Sequence, residues 1–156
     1  MALDRSPRRT GLLVASLGVL TTAAHHFSVF LYPQYFIGTD AARAAYLDAW
    51  FSLVSTAGLG LRFVVIPLLA AVGGFYLVHV DTEPIRRVAG WFLVSGFVFG
   101  LGTLFLDWIV AEPSFQMSPG TALQYGILTM LSVALPALVA ATIGHLSADG
   151  TRSLST

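Results

Sequence analysis

Residues 88–109 read VAGWFLVSGFVFGLGTLFLDWI, and this run decides the class of the fold. Its 22 residues carry a single charged side chain, Asp107, close to the end of the run. A helix needs about 20 consecutive apolar residues to cross the roughly 30 Å hydrocarbon core of a bilayer. The run therefore predicts one transmembrane helix.

Three further stretches have the same character. Short polar segments separate the four predicted spans, which cover residues 11–31, 61–80, 88–109 and 121–145. The chain of 156 residues is 56% hydrophobic and 10% charged, whereas soluble domains average about 25% charged residues. The sequence thus predicts an all-α integral membrane protein, a four-transmembrane-helix bundle that forms a single membrane domain over residues 1–156. Residues 146–156 are rich in Ser, Gly and Thr, which predicts a disordered tail.

The segment between the first two spans predicts an additional element. After the turn at Gly38, apolar residues recur at helical spacing over residues 41–55. One helix over residues 50–80 would be about 46 Å long, which is too long for an upright span. We therefore predict a short amphipathic helix on the outer surface, followed by a break at Gly58 and Gly60. A long tilted helix that protrudes outward is the alternative.

The arginines predict the orientation. All eight basic residues are Arg, which indicates a GC-rich prokaryotic genome. Basic residues are enriched in cytoplasmic loops near the ends of spans. With the N-terminus inside, six arginines lie on the cytoplasmic side, and Arg43 and Arg62 lie outside. We therefore expect a multi-pass protein of the cell membrane with both termini in the cytoplasm. A cleaved signal peptide is the alternative for the first stretch, because basic residues precede it and Thr22-Ala23-Ala24 resembles a cleavage site.

Composition and motifs exclude several functional classes. Cysteine is absent, which removes disulfides, thiol redox chemistry and cysteine-based metal sites. The net charge is zero, so the sequence shows no nucleic-acid footprint, and the lipid bilayer and other membrane proteins are the expected partners. No catalytic, nucleotide-binding or metal motif is recognisable, and we expect a non-enzymatic protein.

Small residues in the third span predict a packing surface. Gly96, Gly100 and Thr103 follow one another at steps of four and three, which places them on one face of a helix. A Gly-x-x-x-Gly spacing allows two membrane helices to approach closely. We expect this stripe to face protein, either another span or a second copy of the chain in a homo-oligomer.

Four polar residues are expected at a similar depth in the outer leaflet: His25, His26, Arg62 and Asp107. Ionisable residues inside a bilayer are costly and are functional candidates by default. An Arg62–Asp107 pair would neutralise both charges, and His25, the deepest of the four, would exchange protons beside it. This interpretation gives a proton- or anion-responsive outer cavity. The alternative is that Arg62 snorkels to the interface and that Asp107 merely ends a helix.

Two cofactor hypotheses arise from the histidines. Haem b between helices needs two His at matching depth on different spans, and His79 with His145 at the inner ends is the one such pair. His25 and His26 point about 100° apart, so they cannot be the two axial ligands of one iron. A zinc site formed by these two residues and an outer carboxylate is also open. Otherwise we expect no cofactor.

Three functional hypotheses remain at this point. The first is a small accessory or interaction component of the cytoplasmic membrane without enzymatic activity. The second is a proton-linked small transporter or channel-like protein that uses the outer His, Arg and Asp cluster. The third is a redox anchor that binds b-type haem.

Overall fold

The computed structural model describes residues 6–110 and 118–153, and every regular element in these ranges is helical. The helices are α1 (Pro7–His26), α2 (Tyr32–Phe36), α3 (Asp40–Gly60), α4 (Ile66–His79), α5 (Ile85–Val110) and α6 (Pro119–Ser153). Five-residue π-helical turns lie at Phe27–Leu31 and Leu61–Val65. Four segments are long and apolar enough to cross a membrane: Pro7–Phe36, Ser52–His79, Ile85–Val110 and Pro119–Gly150. The all-α class and the four long apolar helices are therefore confirmed.

The order of neighbours in the bundle differs from the order in sequence. Helix α6 packs against both α4 and α5, and α1 packs against α5. Helices α1 and α4 touch less, and α4 and α5 contact each other little although a short joint connects them. Going around the bundle, the neighbours are thus α1, α5, α6 and α4. We call the end with Pro7 and His79 the proximal end, and the end with His26 and Val110 the distal end.

Small residues bring α5 and α6 into backbone contact. A β-carbon built on Gly96 would lie 2.6 Å from the carbonyl oxygen of Met130, and one on Gly100 would lie 2.9 Å from that of Gly126. Thr103 is fully buried and donates its hydroxyl to a backbone carbonyl of its own helix at 2.9 Å. The stripe predicted in the third span therefore packs against α6 of the same chain. This face is not available to a second copy.

Each π-helical turn precedes a proline. Pro33 comes after the turn Phe27–Leu31, and Pro67 comes after the turn Leu61–Val65. Proline has no amide hydrogen for the carbonyl one turn earlier, and local widening of a helix is one way to accommodate this loss. An extra residue in a turn also rotates the remainder of the helix by about 100° relative to a regular helix. Both turns lie near the distal end, where they change which residues face the neighbouring helices.

The predicted break at Gly58 and Gly60 is wrong. Helix α3 includes both glycines and continues through the second π-helical turn into α4, so residues 40–79 form one continuous rod of about 60 Å. This is the long helix that the sequence left as the alternative. No described glycine has a positive φ, and a glycine inside a helix costs only about 1 kcal/mol relative to alanine. That penalty is too small to interrupt a long apolar helix.

The predicted disordered tail is wrong as far as Ser153, because α6 continues to that residue. Side chains one turn apart support the extension: His145 Nε2 lies 3.5 Å from Asp149 Oδ2, and the Ser147 hydroxyl donates to the Ile143 carbonyl. Residues 154–156 of the predicted tail lie outside the described residues.

Candidate functional site

The distal ends of α1 and α5 are joined by a histidine–aspartate contact. His26 Nε2 lies 2.6 Å from Asp107 Oδ1, and the two side chains are 12% and 15% exposed. The second polar atoms of the pair, His26 Nδ1 and Asp107 Oδ2, are buried without a hydrogen-bonding partner. This pair is thus an ionic link between two long helices, α1 and α5.

Arg62 lies in the interior beside this pair. It is 8% exposed, and its guanidinium donates one hydrogen bond to the Tyr125 hydroxyl and another to Thr129 Oγ1, the latter at 2.6 Å. Its Cζ lies 4.3 Å from the centroid of the Tyr125 ring and 5.8 Å from that of Phe99. Aromatic rings attract a cation placed over their faces at such distances. The guanidinium is therefore held by hydroxyls and ring faces, and its Nε is buried without a partner.

The structure assigns different partners to Arg62 and Asp107 than the sequence predicted. The direct Arg62–Asp107 pair is wrong, because Asp107 contacts His26 and the arginine contacts two hydroxyls of α6. Snorkelling of Arg62 is also wrong, since its side chain is enclosed by the bundle. The physical reason is rotational: the direction of a side chain around its helix axis decides which helix it meets, and Arg62, inside a π-helical turn, faces α6.

His25 occupies the edge of the site. Its ring centroid lies 5.9 Å from that of His26, at an interplanar angle of 65°. A β-carbon on Gly58 would be 3.0 Å from His25 Nδ1, so the missing side chain at Gly58 leaves room for the ring. His26 and not His25 reaches the carboxylate, because neighbouring residues of a helix point about 100° apart. The sequence singled out His25 as the deepest residue, but depth does not determine direction.

We call six residues the distal network: His25, His26, Arg62, Asp107, Tyr125 and Thr129. Asp107 lies within electrostatic reach of Arg62, Tyr125 and His25, so the two contacts are neighbours in one site. Sequence reasoning did not include the two hydroxyls of α6. The signal that could have found them was their spacing, since Tyr125 and Thr129 are four residues apart on one face of the fourth span.

The two histidines at the proximal end do not fit a haem. His79 Nδ1 lies 3.3 Å from the Gly144 carbonyl oxygen, and its ring stacks on Phe75 at 5.1 Å. His145 is 53% exposed and faces Asp149 on its own helix. A β-carbon on Gly144 would lie 3.4 Å from His79 Cβ, so α4 and α6 touch there. The two imidazoles are thus engaged by different partners, His79 by Gly144 and Phe75, and His145 by Asp149.

The zinc hypothesis does not match the geometry either. His26 Nε2 contacts Asp107, whereas His25 Nδ1 lies beside Gly58 of α3. Within residues 6–110 and 118–153, no group of three His, Cys, Asp or Glu side chains is placed to hold a metal ion.

Fold and site together define a class: a four-helix bundle of membrane-spanning length with a buried polar network at one end. The chain matches no protein-family model, no curated protein and no solved structure.

Proposed function

We propose that the chain is a multi-pass integral membrane protein of the prokaryotic cytoplasmic membrane, with four spans and both termini in the cytoplasm. The length and apolarity of four helices support insertion. The six-to-two distribution of the arginines supports the orientation. In this orientation the distal network lies in the outer leaflet.

Within this framework we propose a proton-linked small transporter or channel-like protein. The observation that carries the proposal is the buried contact of 2.6 Å between His26 and Asp107, next to the buried Arg62. Histidine changes its charge near neutral pH, so a His–carboxylate pair is suited to take up and release protons. Ionisable groups in the interior of membrane bundles often lie on proton or ion pathways.

A purely structural role would not need these groups. Elsewhere the same two helices, α1 and α5, are held together by close packing of small and aromatic residues. A β-carbon on Gly18 would lie 2.5 Å from the Phe99 ring, and Ala15 and Phe92 are fully buried. Because apolar contacts already join the helices, the cost of burying an aspartate and an arginine favours a functional explanation.

The test is proton flux in proteoliposomes that contain a pH-sensitive dye. After an acid pulse, we expect His26→Gln and Asp107→Asn to slow proton entry about tenfold or more, which corresponds to about 1.4 kcal/mol or more of barrier. His145→Gln is the matched control, since it removes an exposed histidine at the proximal end. Proton entry at the rate of protein-free liposomes for the unmodified protein would refute the proposal.

The second candidate is the non-enzymatic accessory component. It is favoured by the first half of α3, where Leu47 and Trp50 are 37% and 49% exposed. This segment would offer a partner membrane protein an apolar surface outside the bilayer. Purification in mild detergent from native membranes should then yield a discrete complex that Trp50→Ser disrupts. A monodisperse monomer from the same preparation would rule this role out.

A further inference from the structure

We propose that the distal network takes up one small monovalent anion together with each proton, and that Arg62 is the residue that binds the anion. This inference rests on the proton-linked function proposed above and names the substrate class of the same site. It would make the protein a proton–anion symporter.

The first argument is the unmet binding capacity of Arg62. The side chain is more than nine-tenths buried, and its described hydrogen bonds go to the neutral hydroxyls of Tyr125 and Thr129. The Nε group is a permanent N–H donor that is buried without a partner. A guanidinium presents its donors in a planar fork that matches anions. The described contacts therefore leave a buried cation without an anion at contact distance.

The second argument is the chemistry of the two hydroxyls. Each hydroxyl oxygen accepts a hydrogen bond from Arg62, so its own hydrogen remains to be donated to another group. An anion beside the guanidinium could therefore receive hydrogen bonds from Arg62 and from a hydroxyl of α6. Chloride and small singly charged oxyanions share this chemistry.

The third argument is charge balance. The ionisable groups that meet at the site are His25 and His26 from α1, Arg62 from the π-helical turn, Asp107 from α5 and Tyr125 from α6. With both imidazoles and the phenol neutral, the charges of Arg62 and Asp107 sum to zero. When His26 gains a proton, the sum becomes +1 in a buried environment, where an unbalanced charge is costly. One monovalent anion restores neutrality, which couples the two species in a ratio of one to one.

The surroundings select against larger charges. Besides the Tyr125 ring, the guanidinium is flanked by the Phe99 ring and by the Phe63 ring, whose centroid lies 5.5 Å from Cζ. Apolar walls cannot replace the water lost by a divalent ion, and the energetic cost of removing that water rises steeply with charge. Sulfate should therefore be excluded, whereas chloride should be accepted.

The experiment uses proteoliposomes of the full chain with a pH dye inside and no initial pH difference. An inward chloride gradient should acidify the interior, and a potassium–valinomycin clamp should not change the initial rate, because symport in this ratio moves no net charge. Methanesulfonate tests whether a small singly charged oxyanion drives acidification as chloride does. Gluconate and sulfate should give less than a tenth of the rate measured with chloride.

Substitutions at Arg62 test whether this residue binds the anion. Arg62→Gln should abolish chloride-driven acidification, whereas Arg62→Lys, which keeps the positive charge, should retain part of it. Arg43→Gln is the matched control, because Arg43 lies on α3 outside the distal network. Should Arg62→Gln fail to fold, the unmodified protein still provides a test: chloride added to the purified protein in weakly buffered detergent should cause uptake of protons, and sulfate should not.

The outcomes separate the two proposals. Acid-pulse proton flux that is the same in chloride, gluconate and sulfate would overturn anion coupling and leave the proton-linked function standing. Failure of the unmodified protein to take up protons with chloride in detergent would also overturn it. Absence of proton flux under every condition would remove the proposed function itself.

Discussion

Helix α6 meets its neighbours in two contrasting ways. Towards α5 it places its backbone against Gly96 and Gly100, where an added β-carbon would meet backbone carbonyl oxygens of α6. Towards the π-helical turn that precedes α4 it presents Tyr125 and Thr129, which accept hydrogen bonds from a buried arginine. One face of α6 thus packs against glycines of α5, and another face accommodates the long charged side chain of Arg62.

The two kinds of contact depend on different forces. Close contacts between glycine and backbone depend on van der Waals packing, which does not change with pH or with ions. The distal network contains a histidine, the residue type that gains or loses a proton near neutral pH, and the permanently charged Arg62, which attracts anions. The packed faces can therefore stay fixed while the network changes its protonation.

The largest effect on stability is expected from a side chain placed where the backbones of α5 and α6 touch. Gly96→Leu should lower the free energy of unfolding by about 3 kcal/mol, since the carbonyl of Met130 cannot move aside as a flexible side chain would. Unfolding in mixed micelles with increasing dodecyl sulfate measures the change. Gly90→Leu is the control on the same helix, because nothing lies within 4 Å of a β-carbon at Gly90. Equal stability of the two variants would show that α5 and α6 are not in close contact.

The next effect is expected at the ionic link. Asp107→Asn should cost about 1.5 kcal/mol, because a charge-assisted hydrogen bond between α1 and α5 is replaced by a neutral one. The same micelle titration applies, with the exposed Asp48→Asn on α3 as the control. If both variants unfold at the same point, the contact with His26 does not contribute to stability.

A smaller effect tests the hydroxyl side of the network. Thr129→Val should destabilise the protein by about 1 kcal/mol, within the range measured for hydrogen bonds between membrane helices. Thr142→Val on the same helix is the matched control, since its hydroxyl bonds only the Leu138 carbonyl one turn earlier. A larger loss at Thr142 than at Thr129 would contradict the assigned partner of Arg62.

The smallest expected effect tests whether His25, at the edge of the site, packs against α3. Gly60→Ala should raise the free energy of unfolding by about 0.5–1 kcal/mol, because alanine is the better helix former and the space beside Gly60 is open. Gly58→Ala should gain less, since its β-carbon would press on the His25 ring and shift it. An equal gain from both substitutions would indicate that His25 does not pack against α3.

Much of the fold could be predicted because a long apolar run is a local property. The predicted ends of the third span, residues 88–109, fall within three residues of the ends of α5, Ile85–Val110. The predictions of a break at Gly58 and of a disordered tail after residue 145 were wrong for a related reason. Turn-forming residues have a low helix propensity, which costs about 1 kcal/mol for a glycine. The hydrogen bonds gained by continuing the helix outweigh that cost.

The site could be predicted in part. The rise of 1.5 Å per residue places His26, Arg62 and Asp107 at a similar level along their helices, and the structure brings these residues into one network. Their pairing could not be predicted, because it depends on rotation about each helix axis. The π-helical turns before Pro33 and Pro67 alter that rotation, and the sequence offers only the prolines as a signal.

By itself, the sequence determined the number of long helices, their apolar character and the level at which the costly polar residues lie, since composition and rise per residue act within one segment. The tertiary structure alone decided that α6 lies between α4 and α5, that Asp107 meets His26, and that Arg62 turns towards two hydroxyls. Such pairings depend on which faces of different helices meet. They are fixed by the contacts of the whole bundle and not by any one segment.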